Sequence, residues 1–163
     1  MRYHDITKCD LLNGDGVRVV LWVSHCEHNC KGCHNPQTHN IHSGIPFDVC
    51  AKKELFDSIN DEDIKGITFS GGDPLSMSNR EEVLLLAKEI KEKFSNKDIW
   101  LYTGYSWKDI KNLNNIEYID ILVDGKYIES LSFPSPKWRG SSNQRVILVQ
   151  ESLKQNKVIE YKL

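Results

Sequence analysis

Apolar residues come in short runs, and the stretches between them carry apolar residues at helical spacing. Val17 to Val23 (Val-Arg-Val-Val-Leu-Trp-Val) is nearly unbroken and reads as a buried strand. The turn signal Asn13-Gly14-Asp15-Gly16 precedes it. Shorter runs predict strands at Gly66 to Ser70, Ile99 to Tyr102, Tyr118 to Val123 and Arg145 to Val149. Asp48 to Ile59 reads as a helix with Val49, Phe56 and Ile59 on one face. Ser78 and Glu81 form a capping box ahead of a second helix, which places Val83, Ala87, Ile90 and Phe94 at helical spacing. Ser106 with Asp109 caps a third helix running to about Leu113, and Glu151 to Leu163 is a short helix and tail. Strands alternating with helices predict an α/β fold with a mainly parallel sheet.

The unusual residues fall just after the strands. The first strand runs into Cys26, Cys30 and Cys33, spaced C-x3-C-x2-C. The second ends in Gly71-Gly72-Asp73-Pro74, the third in Thr103-Gly104-Tyr105 and the fourth in Asp124-Gly125. The carboxyl ends of parallel strands share one edge of an α/β sheet or barrel, and active sites sit there. Four segments distant in sequence are therefore expected at one mouth. Three thiolates on a loop can hold an iron–sulfur cube, and a cube with three protein ligands keeps one iron open for chemistry. Paired glycines let backbone approach a ligand closely, but they serve a tight strand-to-helix turn equally well.

Composition narrows the classes. The chain has 163 residues, room for one domain (1–163) with a real core, and a net charge of −2. That charge argues against a nucleic-acid binder, which must neutralise phosphates. No stretch is long enough to span a bilayer, and Met1 to Asp5 carries no apolar signal core. A cytoplasmic location, no membrane and reduced thiols are expected. Five cysteines, an odd number, fit a disulfide framework poorly. A structural zinc site does fit the spacing, with His25, His28, His34, His39 or His42 as fourth ligand. It would not require the other three segments at the mouth. The histidines read otherwise as solvated loop side chains, with His28 and His34 placed to tune a cluster by hydrogen bonding. Cys9 and Cys50 read as bystanders.

The Cys motif after the first strand, with a Gly-Gly-acid segment after the second, resembles the radical S-adenosylmethionine superfamily. The acid here is Asp73, where many members carry Glu. Asn13 to Arg18, Tyr102 to Tyr105, Asp120 to Gly125 and Trp138 to Arg145 are further similar to the activases of anaerobic (class III) ribonucleotide reductases. This resemblance covers nearly the whole chain. It implies a partial, open (β/α) barrel, shorter than the roughly 250 residues of a complete one. It implies one 4Fe-4S cluster on Cys26, Cys30 and Cys33, with S-adenosyl-L-methionine chelating the fourth iron and the Gly71-Gly72-Asp73 segment at its amino group. One-electron cleavage of that cofactor then gives a 5′-deoxyadenosyl radical, which takes hydrogen from a glycine of the reductase large subunit. An electron donor such as flavodoxin is implied.

Weaker roles follow. Tyr102, Thr103 and Gly104 lie where an adenosine would rest, or simply end a core strand. Asp124 reaches a ribose, or only makes an Asp-Gly turn. Arg139 and Arg145 meet the cofactor carboxylate or the partner protein, and the loop from Phe133 to Gln144, with Trp138, is the expected docking surface. Rival readings are an activase of another glycyl radical enzyme such as pyruvate formate-lyase, a small-molecule enzyme of the same superfamily such as a deazaguanine synthase, and a non-catalytic zinc-binding interaction module.

Overall fold

The computed structural model describes residues 1–132 and 137–162; Phe133–Pro136 and Leu163 lie outside the described residues. Seven strands form one open sheet: β1 (Arg2–Asp10), β2 (Arg18–Val23), β3 (Ile45–Pro46), β4 (Gly66–Gly71), β5 (Asp98–Tyr102), β6 (Ile121–Asp124) and β7 (Arg145–Leu148). Among the described residues four α-helices accompany them: α1 (Val49–Ile59), α2 (Arg80–Lys93), α3 (Trp107–Ile110) and α4 (Val149–Gln155). The strand order is β3-β1-β2-β4-β5-β6-β7. The middle pairs β2–β4, β4–β5 and β5–β6 are parallel, and β1 and β7 run antiparallel to their neighbours.

The expectation of a mainly parallel sheet therefore holds for the middle and fails at both edges. A parallel return needs a crossover of a dozen or more residues, usually a helix. Between β6 and β7 the described residues contain only a single 3-10 turn, Glu129–Leu131, so the chain re-enters antiparallel.

Strict alternation along the middle strands sorts two faces. Val19, Leu21, Val23, Ile67, Phe69, Ile99 and Leu101 point to the face covered by helices, where Leu55 and Ile59 of α1 and Val83, Ala87 and Ile90 of α2 meet them, all buried. Each of the Val, Leu, Ile and Phe side chains among them contributes about 1.5–3 kcal/mol on burial. The intervening Arg18, Trp22, Thr68, Ser70, Trp100 and Tyr102 point to the opposite face, which no helix among the described residues covers. Arg18 is fully buried there and donates to Thr68 Oγ1 at 2.8 Å and to Asp98 Oδ1 at 2.5 Å.

Helix details differ from the sequence expectations. Val49 is 80% exposed, because α1 buries the face carrying Ala51, Leu55 and Ile59. The Ser78–Glu81 capping box does not form. Asn79 occupies the N-cap of α2 and spends its amide on the Ser24 and Asp73 carbonyls, while Ser78 Oγ pairs with His25 Nδ1. The third helix stops at Ile110, three residues short of the expected Leu113.

Candidate metal centre

The Cys loop is anchored before it turns. Ser24 N–H donates to the Arg2 carbonyl and His25 N–H to the Thr38 carbonyl. His25, Asn29 and Gly32 then adopt φ of 72°, 46° and 70°, so the loop reverses repeatedly within eight residues. Cys26, Cys30 and Cys33 all face one cavity of about 430 Å³. All five cysteines are free thiols, and Cys9 and Cys50 are exposed, away from this cavity. Burial pushes the Cys26 thiol up to about 11, with the Asp73 carboxylate and the other two thiols adding to the effect. A buried thiolate in that setting needs a cation, as a metal ligand has. The Asn35 N–H donates to Cys33 Sγ at 3.4 Å.

Among the described residues, no three His, Cys, Asp or Glu side chains are gathered closely enough to hold a single metal ion. A zinc ion needs four donors at 2.0–2.3 Å from one centre. Thiolates on a cube bind different irons and stand further apart. Three thiols around one cavity thus fit a cluster better than zinc. The cavity volume also lies within the range of small-molecule sites, about 300–1,000 Å³.

Asp73 sits at the centre of the mouth, 1% exposed. Its Oδ1 accepts from Leu75 N–H at 2.8 Å and from Thr103 Oγ1 at 2.9 Å. Its Oδ2 accepts from Gly104 N–H at 2.9 Å and His28 Nε2 at 2.6 Å. The carboxylate therefore ties the ends of β4 and β5 to the Cys loop. Gly72 is needed for backbone approach: a Cβ there would stand 2.4 Å from the His25 carbonyl oxygen, on the Cys loop itself.

Gly71, Gly72, Asp73, Tyr102, Thr103, Gly104, Trp138 and Arg139 all line the cavity with the three cysteines. Asp124 and Arg145 do not. They face each other across the β6–β7 pair in a bidentate contact of 3.0 and 2.5 Å. Asp124 also accepts the Trp107 N–H at the start of α3. The guanidinium thereby rises further in pKa through its bond to Asp124. Trp138 packs edge-on against Trp100 with ring centroids 4.7 Å apart. Arg139 donates from Nη1 to the Gln144 carbonyl, and its buried Nε has no partner among the described residues. The first residues of the expected docking loop, Phe133–Pro136, lie outside the described residues.

Sequence reasoning missed Trp22, Ser70, Asn35 and Tyr127 in the cavity wall. Trp22 and Ser70 were legible as the alternate positions of their strands. His28 reads from the sequence as a solvated loop side chain, whereas its side chain is only 8% exposed.

The family of the 4Fe-4S single cluster domain matches residues 12–147. The chain is similar to the anaerobic ribonucleoside-triphosphate reductase-activating protein of Enterobacteria phage T4, 47% identical over 147 residues, 90% of this chain and 93% of that protein. The protein of the same name from Escherichia coli (strain K12) is 41% identical over 150 residues, 90% of this chain and 97% of its own length. That from Haemophilus influenzae is 39% identical over 148 residues, covering 88% of this chain and 96% of the relative. With its cysteines at one cavity and these relatives matched over most of their length, the chain belongs to the family of anaerobic ribonucleoside-triphosphate reductase-activating proteins, built on a 4Fe-4S single cluster domain.

Proposed function

We propose that this protein activates an anaerobic (class III) ribonucleotide reductase by generating a glycyl radical on its large subunit. The observation that carries the reading is the convergence of Cys26, Cys30 and Cys33 with the ends of β4 and β5 at one cavity, in a chain of this family. The cluster and S-adenosyl-L-methionine together would supply one-electron cleavage of a carbon–sulfur bond and hence a 5′-deoxyadenosyl radical.

The chain's own residues bind and orient. Cys26, Cys30 and Cys33 hold the cluster. Gly71 lets the end of β4 lie against Trp22 and Val23 of β2, and Gly72 lets it lie against the Cys loop at His25. Asp73 has its side chain engaged by four protein donors, so it acts on the cofactor through backbone groups and through the strand ends it aligns. Tyr102, Thr103 and Gly104 form the wall for an adenosine. Arg139, with donors to spare, faces a carboxylate of cofactor or partner. Asp124 and Arg145 support that wall from behind as a pair.

We read the open sheet as a partial (β/α) barrel of the radical S-adenosylmethionine type, one domain over 1–163. Its helix-free face leaves the cavity open, and radical chemistry requires that water be excluded. The reductase closes it while presenting a glycine. Among the described residues no helix is long and apolar enough to cross a membrane; a cytoplasmic setting with a donor such as flavodoxin completes the proposal. The test is anaerobic incubation of the reconstituted protein with dithionite and S-adenosyl-L-methionine, with and without the reductase. Methionine and 5′-deoxyadenosine should form, with a glycyl radical signal only when the reductase is present. Turnover of a small molecule without any partner would refute the substrate class.

A further inference from the structure

We propose that His28, inside the cysteine motif, is a positioning residue that locks the cluster-binding loop to the sheet, and that Gly104 is the gap that admits its ring. The proposal rests on the cluster reading above only for its metal readouts. His28 Nε2 lies 2.6 Å from Asp73 Oδ2, and an ionised carboxylate only accepts, so the ring nitrogen donates. Asp73 is held from the sheet by the Gly104 N–H and the Thr103 hydroxyl. The ring also meets Tyr105 edge-on, with centroids 4.6 Å apart at 72°. The neighbouring Glu27 accepts from the Tyr105 hydroxyl at 2.8 Å and from Met77 N–H at 3.1 Å. Two adjacent residues between Cys26 and Cys30 are thus clipped to the ends of β4 and β5 and to the approach to α2.

The space the ring occupies leads to the second half of the proposal. A Cβ at Gly104 would stand 2.2 Å from His28 Cδ2 and 2.6 Å from Nε2. A side chain there forces the ring out and breaks its bond to Asp73. Gly104 lacks a side chain because His28 occupies the space, whatever else the cavity holds.

A double-mutant cycle tests this on the full chain: His28→Ala, Gly104→Ala, the pair together, and His28→Gln, whose amide can still donate. Three readouts are taken: unfolding midpoint of the apo-protein, rate of iron release to a chelator after anaerobic reconstitution, and the electron paramagnetic resonance spectrum of the reduced cluster. Gly104→Ala should lower the apo midpoint by several degrees in the parent protein and by almost nothing when His28 is Ala. His28→Ala should release iron about tenfold faster, of the order seen when groups that hold metal ligands in place are lost, and alter the spectrum, because the loop carrying Cys26 and Cys30 is then no longer fixed to Asp73. His28→Gln should recover most of the retention. Equal cost of Gly104→Ala in both backgrounds would overturn the proposal, as would parental iron release and spectrum in His28→Ala. If even the parent protein assembles no cluster, the cluster reading fails, and the apo-protein cycle still decides the coupling of His28 and Gly104.

Discussion

Removing the Asp124 carboxylate separates a structural role from a ligand role. In Asp124→Ala the Trp107 N–H loses its acceptor in a buried setting, which costs about 1–3 kcal/mol. Arg145 loses its partner, but its side chain is 37% exposed and rehydrates, so that loss adds only about 1 kcal/mol. The total is about 2–4 kcal/mol, or a fall in Tm of about 5–15 °C for a domain of this size. Asp124→Asn keeps an oxygen for Trp107 and forfeits the charge, and should lose about 1–2 kcal/mol. Thermal unfolding of the apo-proteins reads both values. Titration of the reconstituted cluster with S-adenosyl-L-methionine, at a temperature where all variants are folded, should give near-parental affinity for Asp124→Asn. An Asp124→Ala protein with parental Tm but lost cofactor affinity would refute this reasoning and return Asp124 to the ribose.

Replacing Cys26, Cys30 or Cys33 by Ala should abolish the stable cluster, while Cys9→Ala and Cys50→Ala keep it; iron and sulfide analysis checks this, and full iron in Cys30→Ala would sink the ligand assignment. Gly72→Val pushes its side chain into the His25 carbonyl and should impair cluster assembly along with cofactor affinity; an intact cluster with only cofactor binding lost would contradict the packing role. The Tyr105 phenol, pushed up to about 12 by burial and by Glu27, keeps its proton to higher pH in the fold than in the unfolded chain. Its contribution to stability is complete below the unfolded value near 10 and disappears as pH rises toward the folded value. Tyr105→Phe should therefore flatten the alkaline decline of the unfolding free energy between about pH 10 and 12, and an unchanged slope would remove Tyr105 from that account.

The middle of the sheet was legible because its strands are short apolar runs, each ending in glycine, cysteine or aspartate. The direction of β7 was not, since alternation fixes faces but not polarity; only the missing crossover reveals it. β1 was missed for a different reason. Register shifts between Tyr3 and Asp5 and between Thr7 and Asp10 break the period of two, and only Tyr3 and Ile6 of its residues are buried. The cysteines were legible from spacing, and their meeting with Gly71 to Asp73 from the position of each motif after a strand. Asp124 and Arg145 looked like candidates for ligand contact because each lies near the mouth in sequence. Their mutual pairing depends on the antiparallel register of β6 and β7, which sequence does not display. His28 looked solvated because a polar loop surrounds it, and its partner lies 45 residues away.

The central claim is hydrogen transfer from a glycine of a protein partner. The most direct measurement uses reductase carrying α-deuterated glycine, incubated anaerobically with this protein, S-adenosyl-L-methionine and dithionite. Mass spectrometry of the 5′-deoxyadenosine should show one deuterium gained in step with a glycyl radical signal on the reductase. Undeuterated 5′-deoxyadenosine alongside a full radical signal, or no radical with a fully assembled cluster, would contradict the account.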